Sequence, residues 1–179
     1  MSKILVVIDV QNDFISGSLG SENAKKMIPK LIEKINNEDE NTYFIFTKDT
    51  HGTNYLTTNE GVKLPIEHCI KNTIGWEIPD CITELFTNMP YTIEKPTFGS
   101  TELVEYLNDL VNVYNDYDEI EFVGLITDIC VISNALLAKT YFGEKVEISV
   151  DATCCASVTD EAHEHALAVM ESCQINVRR

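Results

Sequence analysis

The stretch Ile4-Leu5-Val6-Val7-Ile8-Asp9 sets five branched apolar residues in a row and ends on a carboxylate. A strand that is apolar on both faces is typical of a parallel sheet covered by helices on each side. The run is much too short to span a membrane. It therefore predicts a buried strand with an acidic residue at its carboxyl end.

Further apolar runs alternate with helix-length segments along the chain. The predicted strands are Ile4–Ile8, Tyr43–Thr47, Tyr91–Glu94 (a weaker candidate), Glu121–Leu125, Val146–Val150 and Ile175–Val177. The predicted helices are Ala24–Ile35, Glu102–Val113, Ile129–Tyr141 and Asp160–Ser172, the last opened by a capping box of Ser157 with Asp160. This alternation predicts an α/β fold of three layers (α/β/α), with a doubly wound, mostly parallel sheet of about six strands.

Composition bounds the class of protein. The chain has 179 residues, with 13 Lys and Arg against 29 Asp and Glu, and a formal net charge of −16. The length suits one domain over residues 1–179, and the acidic balance argues against nucleic acid and anionic membranes as partners. Six cysteines without a C-x-x-C pair, no cleavage site and no long apolar segment lead us to expect a cytoplasmic protein with reduced thiols.

Residues 48–90 interrupt the alternation with little periodic pattern, and such an insertion in a compact domain is usually functional. Asp49 and His51 occupy alternate positions leaving a strand, so their side chains point to one side. Glu60 and His68 follow in the same insertion. Two histidines with one or two carboxylates suit Zn, Mn or Fe(II). Solvated polar residues of a loop are the alternative interpretation.

In open parallel sheets, ligands bind at the carboxyl ends of strands, near the point where strand order reverses. That rule selects Asp9, Lys48-Asp49, Lys95 and the turn 127–130, which contains Cys130. A helix start and a lysine both favour a thiolate, and Asp9 could accept the thiol proton and pass it to a leaving amine. Backbone N–H groups of the turn could hold an oxyanion. Taken singly, each residue could instead be an inert buried thiol, a turn former or a solvated lysine.

Three motifs resemble those of the isochorismatase-like cysteine hydrolases. They are Ile8-Asp9-Val10-Gln11-Asn12-Asp13-Phe14, Glu94-Lys95-Pro96 and Gly124-Leu125-Ile126-Thr127-Asp128-Ile129-Cys130-Val131, and His68-Cys69-Ile70, Thr73, Gly75 and Asp151-Ala152-Thr153 also match in order. The resemblance spans nearly the whole chain. It implies a catalytic triad of Asp9, Lys95 and Cys130, and an oxyanion hole made by the N–H groups of Ile126 and Cys130. It also implies a cis peptide bond between Leu125 and Ile126.

Within that superfamily, the insertion is most similar to the metal loop of metal-dependent nicotinamidases and pyrazinamidases. The resemblance implies one divalent metal, Zn first with Mn or Fe as alternatives, that holds the pyridine nitrogen of the substrate. The implied metal ligands are Asp49, His51, Glu60 and His68. Phe14 matches the ring-packing phenylalanine of the family, and Phe98 is a second substrate-binding candidate. Ordinary core residues are the alternative interpretation for both. The implied activity is an amidohydrolase that converts nicotinamide to nicotinate and ammonia through a thioester on Cys130.

Two alternative functions stay open. The same triad could hydrolyse another small amide or carbamoyl compound without a metal, or the fold could be a catalytically silent binding module. Two departures bear on the ring pocket, since many nicotinamidases have Trp where this chain has Leu64 and Gly where it has Asn72. Members of the superfamily often assemble as dimers or larger, so a homo-oligomer is one expectation.

Several reactive residues receive no role in this interpretation. We expect His163 and His165, which lie on the last helix after the Asp151-Ala152 segment, to be exposed and to have no catalytic role. We expect Trp76 to belong to the core. We also expect Cys154, Cys155 and Cys173 to be small core residues.

Overall fold

A computed structural model describes residues 2–114 and 117–179. Its six strands form one sheet in the order β3-β2-β1-β4-β5-β6, and every neighbouring pair is parallel. The strands are β1 (Ser2–Ile8), β2 (Thr42–Asp49), β3 (Tyr91–Lys95), β4 (Tyr117–Leu125), β5 (Glu147–Ala156) and β6 (Asn176–Arg178). The predicted α/β fold with a six-stranded parallel sheet is confirmed.

Helices cover both faces of this sheet. The short helices are α1 (Asn12–Ile15), α3 (Asn59–Lys63) and α4 (Asp80–Thr83), and the long ones are α2 (Glu22–Asn37), α5 (Thr101–Tyr114), α6 (Ile132–Phe142) and α7 (Asp160–Ser172). Of the helices in the described ranges 2–114 and 117–179, none has the length and apolar character to cross a membrane.

The first strand shows why the chain folds into three layers. Ile4, Val6 and Ile8 pack in the core formed with α5, α6 and α7, whereas Leu5 and Val7 pack in the second core, under α2. All five side chains are fully buried. Because successive side chains of a strand point to opposite faces, a central strand between two helical layers needs an unbroken apolar run.

Some element boundaries differ from the sequence prediction. Helix α7 spans the predicted residues, but its N-cap is Thr159, whose hydroxyl accepts a hydrogen bond from Ala162 N at 3.1 Å. The predicted capping residue Ser157 instead donates to Asp128 Oδ1 at 2.6 Å. The helix predicted from Ile129 opens as a five-residue π-helical turn, Thr127–Val131, before α6 begins.

The order of the strands reverses between β1 and β4, with β2 and β3 on one side and β5 and β6 on the other. Ligands of such sheets bind at the carboxyl ends of the strands beside this point. Gly124 allows the two central strands to approach closely there, because a Cβ at this position would lie 2.2 Å from Ile8 O. Its φ of +114° is also in the region that favours glycine.

Candidate active site

Three residues selected from the sequence meet at the carboxyl end of the sheet. Asp9 follows β1, Lys95 ends β3, and Cys130 lies in the π-helical turn after β4. The Lys95 ammonium lies 2.6 Å from Asp9 Oδ2 and donates to Cys130 Sγ at 3.6 Å. All three side chains are buried. The structure therefore brings together an acid, an amine and a thiol that lie far apart in the sequence.

The carboxylate of Asp9 is fixed from several directions. Thr47 donates its hydroxyl to Asp9 Oδ1 at 2.6 Å, and Asp9 N approaches Thr47 O and Thr47 Oγ1 at 3.2 Å each. Asp9 also has a φ of +47°, an uncommon value for a residue other than glycine that recurs at functional sites. Its Oδ2 is ion-paired with Lys95 at 2.6 Å. The carboxylate is therefore held between Thr47 and the amine that also contacts Cys130.

The burial of the trio governs its protonation. Burial raises the pKa of Asp9, and the charge of Lys95 reduces this effect without cancelling it. Burial opposes the charge on Lys95, but the negative groups around it, Asp9 foremost, raise its pKa. Burial, followed by the charge of Asp9, raises the pKa of the Cys130 thiol well above its usual value. The structure therefore indicates a neutral thiol that needs a base, which is the part that the sequence analysis assigned to Asp9.

The two residues predicted for the oxyanion hole are Ile126, which immediately precedes the π-helical turn, and Cys130, which lies within it. The Leu125–Ile126 peptide bond is cis, as the resemblance implied. Ile126 O accepts hydrogen bonds from Ile129 N at 3.0 Å and from Val131 N at 3.1 Å, which closes the turn around Cys130. Ile126 and Cys130 both line the cavity described next.

A cavity of about 570 Å³ opens onto Cys130. Phe14 and Phe98, the predicted substrate-binding residues, both line it, although Phe14 is buried and the Phe98 side chain is 46% exposed. Most of its wall is apolar, and cavities of this size and character bind small organic molecules.

Trp76 lies in the core as expected, where its Nε1 donates to Thr50 Oγ1 at 2.8 Å.

Asp49, His51 and His68 face the same cavity as Cys130. Asp49 Oδ2 lies 3.0 Å from His51 Nε2 and 3.4 Å from His68 Nε2, and the three ligand atoms lie within 4.8 Å of one another. Glu60 Oε1 adjoins the group, 3.5 Å from His68 Nε2 and 3.7 Å from His51 Nε2, but its side chain is 21% exposed. The structure thus gathers all four predicted ligands, three of them buried and Glu60 at the rim.

Backbone contacts orient this group. His68 Nδ1 lies 2.8 Å from Ile66 O, and a proton on Nδ1 leaves the Nε2 lone pair facing Asp49. Such outer hydrogen bonds are typical of metal-ligating histidines. Gln11 accepts from Asp49 N and donates to Asp49 O, both at 2.8 Å. This oriented set of imidazoles and carboxylates fits a divalent metal ion.

The two departures from the nicotinamidase pattern have different consequences. Asn72 has a φ of +67°, which lies in the left-handed region that favours glycine and that asparagine tolerates. Asn72 therefore adopts a backbone conformation that is also accessible to glycine. Leu64 lines the cavity, so the second departure changes the wall of the site itself.

Sequence reasoning was wrong about two residues. His163 is half-buried instead of exposed, and its Nδ1 lies 2.8 Å from the hydroxyl of Thr127, while burial lowers its pKa. Cys173 is exposed instead of buried. His165 is exposed, and Cys154 and Cys155 are buried, as expected. The His163–Thr127 contact joins α7 to the turn before the nucleophile, and no local pattern in the sequence signals it.

This chain is similar to known proteins over nearly its whole length, so the similarity includes both the sheet and the residues of the site. The family model of the isochorismatase domain matches residues 3–179. The nicotinamidase of Saccharomyces cerevisiae is 25% identical over 98% of both chains. The solved structure of the Bacillus subtilis nicotinamidase/pyrazinamidase superposes with a TM-score of 0.81 at 26% identity over the whole of both chains. The Pyrococcus horikoshii pyrazinamidase in complex with zinc gives 0.78 at 25% identity, over 100% of this chain and 99% of that one.

Proposed function

Because the chain belongs to the isochorismatase domain family, we propose that it is an amidohydrolase that converts nicotinamide to nicotinate and ammonia. The observation that carries the proposal is the contact of Lys95 with both Asp9 and Cys130 beside a cavity that also holds the metal-binding group. The nicotinamidases of similar sequence and structure support nicotinamide as the substrate. The six cysteines are all free, which supports a cytoplasmic location.

In the first half of the proposed reaction, Asp9 accepts the thiol proton of Cys130. Burial raises the pKa of Asp9, so Asp9 holds a proton more readily than an exposed aspartate. This favours the transfer, whereas the raised pKa of the Cys130 thiol opposes it, so the thiol needs Asp9 as its base. The sulfur then attacks the carboxamide carbon, and the N–H groups of Ile126 and Cys130 stabilise the oxyanion. Lys95, at 3.6 Å from the sulfur, stabilises the thiolate.

In the second half, the carbon–nitrogen bond breaks and Asp9 donates its proton to the departing amine, so that ammonia leaves and a thioester remains on Cys130. Water then attacks the thioester with Asp9 again as the base. The carbon–sulfur bond breaks, the sulfur regains a proton, and nicotinate is released. Lys95 stays charged throughout because the negative groups beside it raise its pKa.

Asp49, His51 and His68 would hold a divalent metal, with Glu60 beside them, and we propose zinc as that metal. When bound, the metal would supply a Lewis acid that holds the ring nitrogen of the substrate. The ring centroids of Phe14 and His68 are 5.6 Å apart, so an apolar wall for the substrate ring adjoins the metal-binding residues. The chemistry at sulfur is carried by the trio alone.

An ammonia-release assay on nicotinamide and a panel of small amides, with and without a chelator, tests the proposal. Cys130→Ala is expected to lower turnover by about 10³-fold or more, because it removes the nucleophile. It should leave the metal content unchanged, since no metal-binding residue is altered. Cys173→Ala is the matched control, because Cys173 is exposed, and it should retain full activity.

Three outcomes would contradict the proposal. Near-normal turnover by Cys130→Ala would exclude the thioester scheme. Ammonia release from other amides with nicotinamide inert would exclude the proposed substrate. Turnover that ignores the chelator, in a protein that binds no stoichiometric metal, would favour a metal-independent hydrolase of another small amide.

A further inference from the structure

Asn134 lies on α6, one helical turn after Cys130, and is fully buried. Its Nδ2 donates to Cys130 O at 2.8 Å and to Phe98 O at 3.0 Å. Its Oδ1 accepts from Ser100 N at 3.0 Å. One side-chain amide therefore joins the backbone of the nucleophile to the backbone of residues 96–100, which we call the Phe98 segment.

The Phe98 segment is held closely at its ends while the Phe98 ring itself is half-exposed. Lys95 donates to Thr97 O at 3.1 Å, and Thr97 donates its hydroxyl to Gly99 O at 2.7 Å. Gly99 packs so tightly on α6 that a Cβ there would lie 2.6 Å from Leu137 Cδ1. The position of the Phe98 ring in the cavity is therefore decided by its backbone rather than by packing around the ring.

Within residues 2–114 and 117–179, the side-chain hydrogen bonds that connect α6 to the Phe98 segment all come from Asn134. The same amide binds Cys130 O. The spacing between the Cys130 sulfur and the Phe98 ring, which we call the ring slot, therefore depends on the Asn134 amide in addition to the Lys95–Thr97 hydrogen bond and the packing of Gly99 on α6. Asn134 does not line the cavity, so it acts on the slot without touching its contents.

We propose that Asn134 is a positioning residue that sets the width of the ring slot and thereby selects flat aromatic amides over flexible aliphatic ones. This inference rests on the proposed function and adds a determinant of its substrate specificity. Loss of the amide would leave the trio in place, because Lys95 reaches Asp9 and Cys130 independently of Asn134. It would let the Phe98 segment drift from α6.

Two variants separate the ring slot from the local helix. Asn134→Ala removes all three hydrogen bonds. Asn134→Thr can still satisfy Cys130 O, as Thr140 does with Leu136 O at 2.7 Å four residues earlier in the same helix. A threonine hydroxyl is one bond shorter than the asparagine amide, so it does not reach the Phe98 segment. Ser133→Ala is the matched control, because it removes a hydrogen bond of Ser133 to Ile129 O but none to the Phe98 segment.

The first readout is specificity. Both Asn134 variants should lower the ratio of kcat/KM for nicotinamide to that for butyramide by about 10- to 100-fold, chiefly through the KM for nicotinamide. The second readout needs no turnover: the rate of Cys130 alkylation by iodoacetanilide, which has a ring, is compared with that by iodoacetamide, which has none. Peptide mass mapping identifies the modified cysteine. Both variants should lower this ratio while the iodoacetamide rate stays unchanged.

Each other outcome overturns the inference. If Asn134→Thr matches the wild type in both ratios, the bond to Cys130 O is what matters and the slot is not set by the tie to Phe98. If activity falls equally on both amides, or the alkylation ratio stays constant, Asn134 has only a structural role. The alkylation ratio is measured even if nicotinamide proves not to be a substrate, so failure of the proposed function is distinguished from failure of this inference.

Discussion

The hydroxyl of Thr47 is the neighbour of Asp9 that sequence reasoning did not find. It lies fully buried near the end of β2 and donates to the Asp9 carboxylate at 2.6 Å. Burial raises the pKa of Asp9, whereas the charge of Lys95 and this hydrogen bond from Thr47 lower it. The acid limb of the reaction should therefore depend on a residue that touches no substrate.

Thr47→Val tests that dependence, because valine keeps the branched shape and removes the hydroxyl. The hydroxyl stabilises the charged carboxylate, so its loss should raise the pKa of Asp9 further. Asp9 must be deprotonated to act as the base, so the acid limb of kcat/KM should move to higher pH. The measurement is kcat/KM across the acid limb, with Thr42→Val at the start of β2 as the control. An unmoved limb, or one displaced to lower pH, would show that Thr47 does not tune Asp9.

The four metal-binding candidates should contribute unequally. His68 is buried and its ring is oriented by Ile66 O, whereas Glu60 is partly exposed and lies farther from the other ligands. We expect His68→Ala to abolish stoichiometric metal binding and Glu60→Gln to weaken it by about 10-fold. Elemental analysis after dialysis measures both, with His165→Ala as the control. Equal losses in the two variants would make Glu60 a full ligand.

At the scale of elements, the strands and long helices were predictable from the positions of their apolar residues. The strands are short apolar runs, and the long helices have apolar residues at helical spacing. Strand β5 is longer than predicted. It was predicted to end at Val150, but it continues to Ala156 after a register shift against β4. The small residues Cys155 and Ala156 pair with β4 there, and the strand preference of such residues is too weak to be recognised in sequence. Similarly, hydroxyls at Ser157 and Thr159 both suit an N-cap, and only the fold decides between them.

The same contrast applies to the site. Asp9, Lys95 and Cys130 were found because a rule about strand ends selects them. Thr47 and Asn134 were not found, because their roles depend on which distant atom each side chain reaches: Thr47 contacts a residue 38 positions away. Periodicity describes which face of an element is buried, and it does not describe which hydrogen bonds form across the face.

Gly124 joins the two central strands, and its replacement should show how much the site depends on their approach. Gly124→Ala should lower the free energy of unfolding by about 2–5 kcal/mol, from backbone strain and the clash with Ile8 O. Gly143→Ala is the control: it has a φ of +58° but open space around its Cβ, so only backbone strain of about 1–3 kcal/mol applies. Chemical denaturation measures both. Equal losses of unfolding free energy in the two variants would mean that the close approach of β1 and β4 at Gly124 adds nothing to the cost of backbone strain.

At the scale of the whole molecule, a buried ionic cluster connects parts of the chain that lie far apart in sequence. The fully buried carboxylate of Glu121 contacts Lys3 at 2.8 Å, Lys34 at 3.0 Å and Arg178 at 2.7 Å. These residues belong to β4, β1, α2 and β6. A chain with only 13 lysines and arginines thus commits three of them to a single carboxylate.

Glu121→Gln should destabilise the protein at neutral pH by about 1–3 kcal/mol, because it removes the carboxylate that the three cations share while each cation keeps a second partner, at Glu38, Asp151 or Glu119. Burial opposes the charge of Glu121, but Lys3 and Lys34 outweigh it and lower its pKa below the ordinary value of 4.5. This stabilisation is therefore complete above pH 4.5 and is lost as the pH falls further. Thermal unfolding against pH should show the two proteins converging below that value. Glu22→Gln, at an exposed pair, should change little, and a constant gap at all pH values would contradict the assignment.

The order of the strands also has a consequence for synthesis on the ribosome. The chain emerges with Asp9 first, Lys95 much later and Cys130 later still, and β4 must pair with β1 before the sulfur can meet its partners. A nascent chain that ends between Lys95 and Cys130 therefore contains the carboxylate and the amine of the trio but not its sulfur. Such incomplete chains should show no amidase activity, and the onset of activity should follow the pairing of the two central strands.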